Sequence, residues 1–286
     1  MLHFLRAASQ SARLLVVMAL VAAVCCGGGC RAASLEYTCT SDAVVRGNGK
    51  LKSAPVVVKS VPAPGEPQSG EYVAVAEGWA PIRIAVSTGD LENTRKYCSF
   101  SRGSKPNLLG DASADCRFDE LPSWKKKLLV GGVVPAAVKL HAERLLVQPL
   151  KGPLKVPEFA ADSVCGQFTV PAAHRSPGVD SADMVLYVAA APGGVWALPC
   201  ATLENGRPIV GAVNLAPANL FHGRLATRIA AHEIAHALGF SYQQMAAHRM
   251  LRNVTGVRGR KLSVVVNSTN AAMAAREHYD CDNIRG

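Results

Sequence analysis

His232, Glu233 and His236, in the run His232-Glu233-Ile234-Ala235-His236, have the types and spacing to hold a metal ion and use it. Positions i and i+4 share one face of an α-helix, so the two imidazoles can reach a single cation. Zinc suits such nitrogen donors, and one zinc per chain is the expected cofactor. Glu233 stands beside the first ligand and can polarise a metal-bound water without coordinating the metal itself. That chemistry is hydrolysis: the metal acidifies the water, and the carboxylate takes its proton and passes it to a leaving amine. Two histidines on an ordinary amphipathic helix would be the bland alternative. The flanks favour the site. Leu225 to Ala231 supplies good helix formers with no breaker, and Gly239 can end the helix in a left-handed turn.

The elements that must position this helix lie mostly upstream of it. Ile82 to Ser87 alternates as a strand should. Leu121 to Leu146 has helical spacing at Leu128, Leu129, Val133, Val134, Val138 and Leu145, broken by Gly131-Gly132 and Pro135, which predicts a kinked or split helix. Further strands are expected at Leu145–Val147, Met184–Val188 and Ile209–Leu215. This order of strand, helix, several strands and helix indicates layered α/β packing. Residues 34–77, with Pro55, Pro62, Pro64 and Pro67 around one valine run, Val56-Val57-Val58, read as a propeptide or linker.

The chain has 286 residues, 49% hydrophobic and 18% charged, enough for one or two globular domains. Its net charge of +10 is dispersed, and Lys125-Lys126-Lys127, the one tight run, reads as the solvated face of a helix. With 6% aromatic residues there is no basic stripe with stacking partners, so a nucleic-acid partner is not expected. Arg6 and Arg13 followed by Leu14 to Val24 and then small residues form a secretory signal over residues 1–33. The product is therefore expected to be secreted or at the cell surface. Three of the nine cysteines lie in that leader; the other six are Cys39, Cys98, Cys116, Cys165, Cys200 and Cys281. Export suggests disulfides, and six cysteines allow fifteen pairings. Asn253-Val254-Thr255 and Asn267-Ser268-Thr269 are glycosylation sequons.

From Trp79 onward the chain resembles the leishmanolysin family, the surface zinc peptidases of trypanosomatid parasites. The resemblance rests on Trp79 to Thr88, Cys165 to Pro171, Asp183 to Ala189, Gly211 to Leu215, the stretch His232 to Ser241 and Ala275 to Cys281. It implies an α+β fold: a metzincin-like zincin catalytic subdomain in which the active-site helix lies on a mixed sheet. The implied division is a signal at 1–33, a propeptide at 34–77, a catalytic subdomain at 78–241 and the start of the next subdomain at 242–286. His232 and His236 match the family's first two metal ligands and Glu233 its catalytic base. Tyr242 stands where the commonest metzincin spacing has the third histidine, so the third ligand is expected beyond Gly286 and the chain reads as C-terminally truncated.

The same resemblance implies disulfides Cys98–Cys116 and Cys165–Cys200, and a strand at Gly211, Ala212 and Val213 whose edge receives an extended substrate. Cys39 resembles the propeptide cysteine that holds the family latent, its thiolate taking the water position on zinc. Thr38 and Ser41 depart from that pattern, and an ordinary disulfide or a free thiol are the alternatives for Cys39. The expected function is zinc metalloendopeptidase, acting on proteins or peptides at or outside the cell surface. Host or surface proteins are further candidate partners, and a missing C-terminal anchor would bring membrane association. The alternative is a truncated, inactive surface or adhesion protein that retains the zincin shell.

Overall fold

The computed structural model describes residues 39–45, 50–60, 72–75, 78–110, 113–220, 223–256 and 261–282. The leader expected at 1–33 lies outside them. A seven-stranded mixed sheet organises the fold. In chain order its strands are β1 (Val56–Ser60), β2 (Tyr72–Val75), β3 (Ile84–Ser87), β4 (Leu150–Lys151), β5 (Met184–Ala189), β6 (Trp196–Leu203) and β7 (Pro208–Asn214). Across the sheet they run β3-β5-β7-β6-β1-β2-β4. The β3/β5, β5/β7, β6/β1 and β1/β2 pairs are parallel; β6/β7 and β2/β4 are antiparallel.

β5, β6 and β7 are buried almost throughout, because both faces of the sheet are covered. The period-2 alternation of β5 shows the two layers. Val185, Tyr187 and Ala189 join a core with Leu154, Val156, Phe168, Leu198 and Val210. Met184, Leu186 and Val188 face a second core with Leu129, Val133, Val134, Ala137, Ala226, Ala230, Ile234 and Ala237. That second layer consists of helices. Ser123–Leu128 (α1) and Val134–Ala142 (α2) are joined by a π-turn at Leu129–Val133, so the expected kink is a widened turn within one helical run. Gly223–Ala237 (α3) carries the His-Glu-His motif. Beyond it come α4 (Tyr242–Ala247), the hairpin of β8 (Leu251–Val254) and β9 (Ser263–Val266), and α5 (Thr269–Tyr279). No helix among the described residues is long and apolar enough to cross a membrane.

The structure adds detail to one expectation and changes two. The valine run of the presumed linker is β1, paired in parallel with β6 from Val56↔Ala201 to Val58↔Leu203, within the main sheet. Lys125 is buried and donates to the Pro217 carbonyl at 3.1 Å, so only part of the lysine run is a solvated face. Gly211, Ala212 and Val213 do not form an edge. Their strand is paired with β5 on one side and β6 on the other, so its backbone groups are committed to the ladder.

Candidate active site

The motif helix is held down by a continuous apolar stripe. Ala226, Ile229, Ala230, Ile234 and Ala237 are buried, and Glu233 is buried with them. It ends where Gly239, at φ +97°, takes the left-handed conformation. Phe240 N–H then bonds to the Ala235 carbonyl at 2.9 Å and Gly239 N–H to that of His236 at 3.0 Å, the pair that closes a Schellman turn. His141 bonds through Nε2 to the Ala231 carbonyl at 2.8 Å and ties α2 to α3 one residue before the motif.

His232 is exposed and His236 half-buried, and their Nε2 atoms lie 3.2 Å apart. The Sγ of Cys39 lies 3.3 Å from His236 Nε2. The ligand atoms of Cys39, His232 and His236 all fall within 4.8 Å of one another, the one such group of metal-binding type among the described residues. Two nitrogens of a tetrahedral zinc set, each about 2.05 Å from the metal, stand about 3.3 Å apart. Two imidazoles and a thiol at these separations therefore fit a zinc ion. Burial pushes the Cys39 thiol above its ordinary pKa and the Glu233 carboxylate adds to this, while the backbone N–H of Ser41 works the other way. The buried Nδ1 of His236 has no hydrogen-bond partner among the described residues.

Glu233 is fully buried, and its Oε2 accepts a hydrogen bond from Ser41 Oγ at 2.6 Å. The Ser41 hydroxyl also accepts from Ala197 N–H of β6 at 2.9 Å. Cys39 forms a parallel bridge with Val195, and Thr40 bonds to the Val195 carbonyl through both N–H (3.4 Å) and Oγ1 (3.1 Å). Residues 39–41 thus lie along the first half of β6, the stretch that β1 leaves unpaired. The loop before β6 is shaped by Asn214. Its side chain accepts from Ala191 N–H and donates to the Ala191 and Gly194 carbonyls.

The structure brings together His232, Glu233, His236 and Cys39, and leaves Gly211, Ala212 and Val213 beneath the helix. Cys39 is not disulfide-bonded, and neither is Cys281. Disulfides join Cys98 to Cys116 and Cys165 to Cys200. His174 bonds to the Tyr187 hydroxyl, Glu277 is exposed on α5, and neither they nor His248 join the cluster. Sequence reasoning missed Ser41 and β6. Ser41 stands two residues after Cys39, and in the sequence it reads only as a departure from a pattern. No local signal gives its distance to Glu233.

Comparison with known proteins adds to this geometry. The family model described as leishmanolysin matches residues 43–286. Leishmanolysin of Leishmania major is 36% identical over 304 residues, an alignment that covers 96% of this chain and 50% of the relative. Leishmanolysin of Leishmania chagasi is 35% identical over 303 residues, with 96% and 50% covered. A leishmanolysin homolog of Crithidia fasciculata is 34% identical over 213 residues, with 72% of this chain and 32% of the relative covered. The chain spans about half the length of the first two relatives. Cys39 and Ser41 fall just before the stretch that the family model matches.

Proposed function

The chain belongs to the leishmanolysin family, and from that premise we propose that it is the metal-binding part of a zinc metalloendopeptidase in its latent form. The observation that carries the reading is the convergence of His232 and His236 Nε2, 3.2 Å apart, beside a carboxylate buried on the same helix. His232 and His236 would hold the metal, with Cys39 as a further donor in the latent state. Bound zinc would supply Lewis acidity, polarising a peptide carbonyl and acidifying water.

Glu233 performs the proton transfer. The sheet and the helix stripe fix its carboxylate away from bulk solvent, where it accepts a proton from the attacking water and returns it to the leaving amine. The substrate is an extended peptide. It pairs with the first half of β6, the edge nearest the site, through backbone hydrogen bonds. In this reading residues 34–77 are a prosegment, 78–241 a metzincin-like catalytic subdomain and 242–286 the start of the next. The protein acts after secretion or at the cell surface. The intact set of His232, Glu233 and His236 speaks against the non-catalytic alternative.

Glu233→Ala tests the assignment. Once residues 39–41 are released, the variant should retain stoichiometric zinc and lose the cleavage of a peptide library that the released parent shows. Unchanged cleavage would exclude Glu233 as the base. A zinc-loaded chain that cleaves nothing once residues 39–41 are released would overturn the enzymatic reading for this chain.

A further inference from the structure

Ser41 stands between the two groups that a peptide substrate needs. Its hydroxyl donates to Glu233 Oε2 at 2.6 Å and takes the outward N–H of Ala197 at 2.9 Å. Both Ser41 and Glu233 are fully buried. A hydrogen bond from a neutral hydroxyl to a carboxylate is charge-assisted, and breaking it in a buried place is costly. The Cys39 contact is of another kind. It joins a half-buried sulfur to one ring nitrogen of a half-buried histidine and brings that sulfur beside Ser41 and Glu233 as well, but without a metal a thiol is only a weak donor. The backbone of Cys39 and Thr40 meanwhile pairs with Val195, so the segment lies where β6 would receive an extended chain.

We propose that Ser41 is a second autoinhibitory contact, which holds the base and covers the β6 edge independently of the Cys39 thiol. Its consequence is a two-part latch. Loss of the sulfur contact, by modification or by substitution, removes one candidate donor from His236 but leaves Glu233 bonded and Ala197 covered. The cleft opens only when Ser41 also leaves. This inference rests on the peptidase reading, because a latch has meaning only where Glu233 and the β6 edge are used.

Hydrogen exchange on the full chain, with and without added zinc, tests it. The readout is the Ala197 amide, followed in peptides covering Val195 to Leu198, in the parent and in Cys39→Ala, Ser41→Ala, Ser41→Thr and Ser41→Val. Cys39→Ala should leave Ala197 protected. Ser41→Ala and Ser41→Val should each speed its exchange by about tenfold or more, the order expected for losing one buried charge-assisted hydrogen bond. Ser41→Thr keeps the hydroxyl at the volume of valine and should restore protection, which a purely steric role of Ser41 would not do. Protection of Met184–Ala189 reports whether each variant is folded.

Exposure of Ala197 in Cys39→Ala as large as in Ser41→Ala would overturn the proposal. So would unchanged protection in Ser41→Ala, or equal behaviour of the threonine and valine variants. Peptide cleavage by the zinc-loaded chain separates the two readings. Cys39→Ala should stay inactive, and the Cys39→Ala, Ser41→Ala double variant should gain at least tenfold. A double variant that opens by exchange but cleaves nothing leaves the latch standing and fails the catalytic reading alone.

Discussion

Gly211 of β7 passes directly beneath Ala237 of the motif helix. A β-carbon on Gly211 would stand 2.9 Å from the Ala237 Cβ and 2.6 Å from Met184 Cε. The two contacts are not equivalent. Met184 Cε is the tip of a flexible side chain and can swing aside. Ala237 Cβ is fixed to the helix one residue after His236, so it moves only if the helix moves. Gly211→Ala should therefore cost about 1–3 kcal/mol, the scale of overpacking in a dense core, measured by denaturant unfolding. It should also weaken zinc uptake by displacing His236. Ala237→Gly in the same chain should restore much of the zinc affinity, and a non-additive double-mutant cycle would show that the two positions act on each other.

That contact marks what the sequence can and cannot say. The helix was legible because His232, Glu233 and His236 sit on a stretch of helix formers closed by Gly239. β5 and β7 were legible as apolar runs. β6 was not, because Pro199 interrupts it where the ladder to β7 shifts register, and proline argues against an interior strand. Strand order was not legible either. Nothing local says that β7 has neighbours on both sides, so its place inside the sheet could not be read from Gly211 to Val213 themselves. The candidate site joins residues far apart in the chain: Cys39 and His236 are separated by 197 positions, and Ser41 and Glu233 by 192. Residue types suggested the first pair, whereas the second needed the fold.

Metal binding supplies the next expectation. The full chain should take up one zinc, and His232→Ala or His236→Ala should weaken that uptake by more than the roughly 10–100-fold that loss of an outer-shell partner costs. Cys39→Ala should weaken it less than either histidine variant and should abolish the release of the thiol proton on binding. Zinc at a hundred times its dissociation constant should stabilise the fold by about 2.7 kcal/mol. Titration calorimetry in two buffers of different ionisation enthalpy measures affinity and proton release together. A Cys39→Ala chain that binds zinc as tightly as the parent, with the same proton release, would remove the thiol from the ligand set.

The start of β5 carries a pH-dependent clamp. Asp183 is fully buried, accepts from Arg83 N–H, Nε and a terminal nitrogen at 2.8–3.0 Å, and accepts Leu150 N–H at 2.7 Å. Burial alone would raise its pKa, but the Arg83 side chain and the two backbone amides outweigh it and hold the carboxyl below its ordinary value. A carboxyl depressed in the folded state contributes stability above its unfolded pKa, about 3.9, and loses it as pH falls through the folded value. Asp183→Asn should accordingly cost about 3 kcal/mol at pH 7, the lower end for breaking a buried pair, since Arg83 is partly solvated. The gap between variant and parent should shrink below pH 4. Denaturant unfolding at pH 7 and pH 3 measures both, and a pH-independent gap would show that Asp183 acts by packing alone.

The two disulfides should differ in how far their loss is felt at the site. Cys165–Cys200 closes a separation of 35 residues and Cys98–Cys116 one of 18. Loop entropy alone assigns them about 4 and about 3 kcal/mol. Location separates them further. Cys200 lies in β6 one residue beyond Pro199, where the ladder to β7 shifts register, so this crosslink pins the Cys165–Gln167 turn onto the strand that carries Ala197. Cys98 and Cys116 join two loops outside the main sheet. Replacing Cys165 and Cys200 together by serine should lower stability by about 4 kcal/mol and speed amide exchange along β6. Replacing Cys98 and Cys116 should lower stability while leaving β6 exchange within about twofold of the parent once both are compared at equal global stability. If both double variants loosened β6 equally under that comparison, the strand would owe its order to the sheet as a whole and not to the Cys165–Cys200 crosslink.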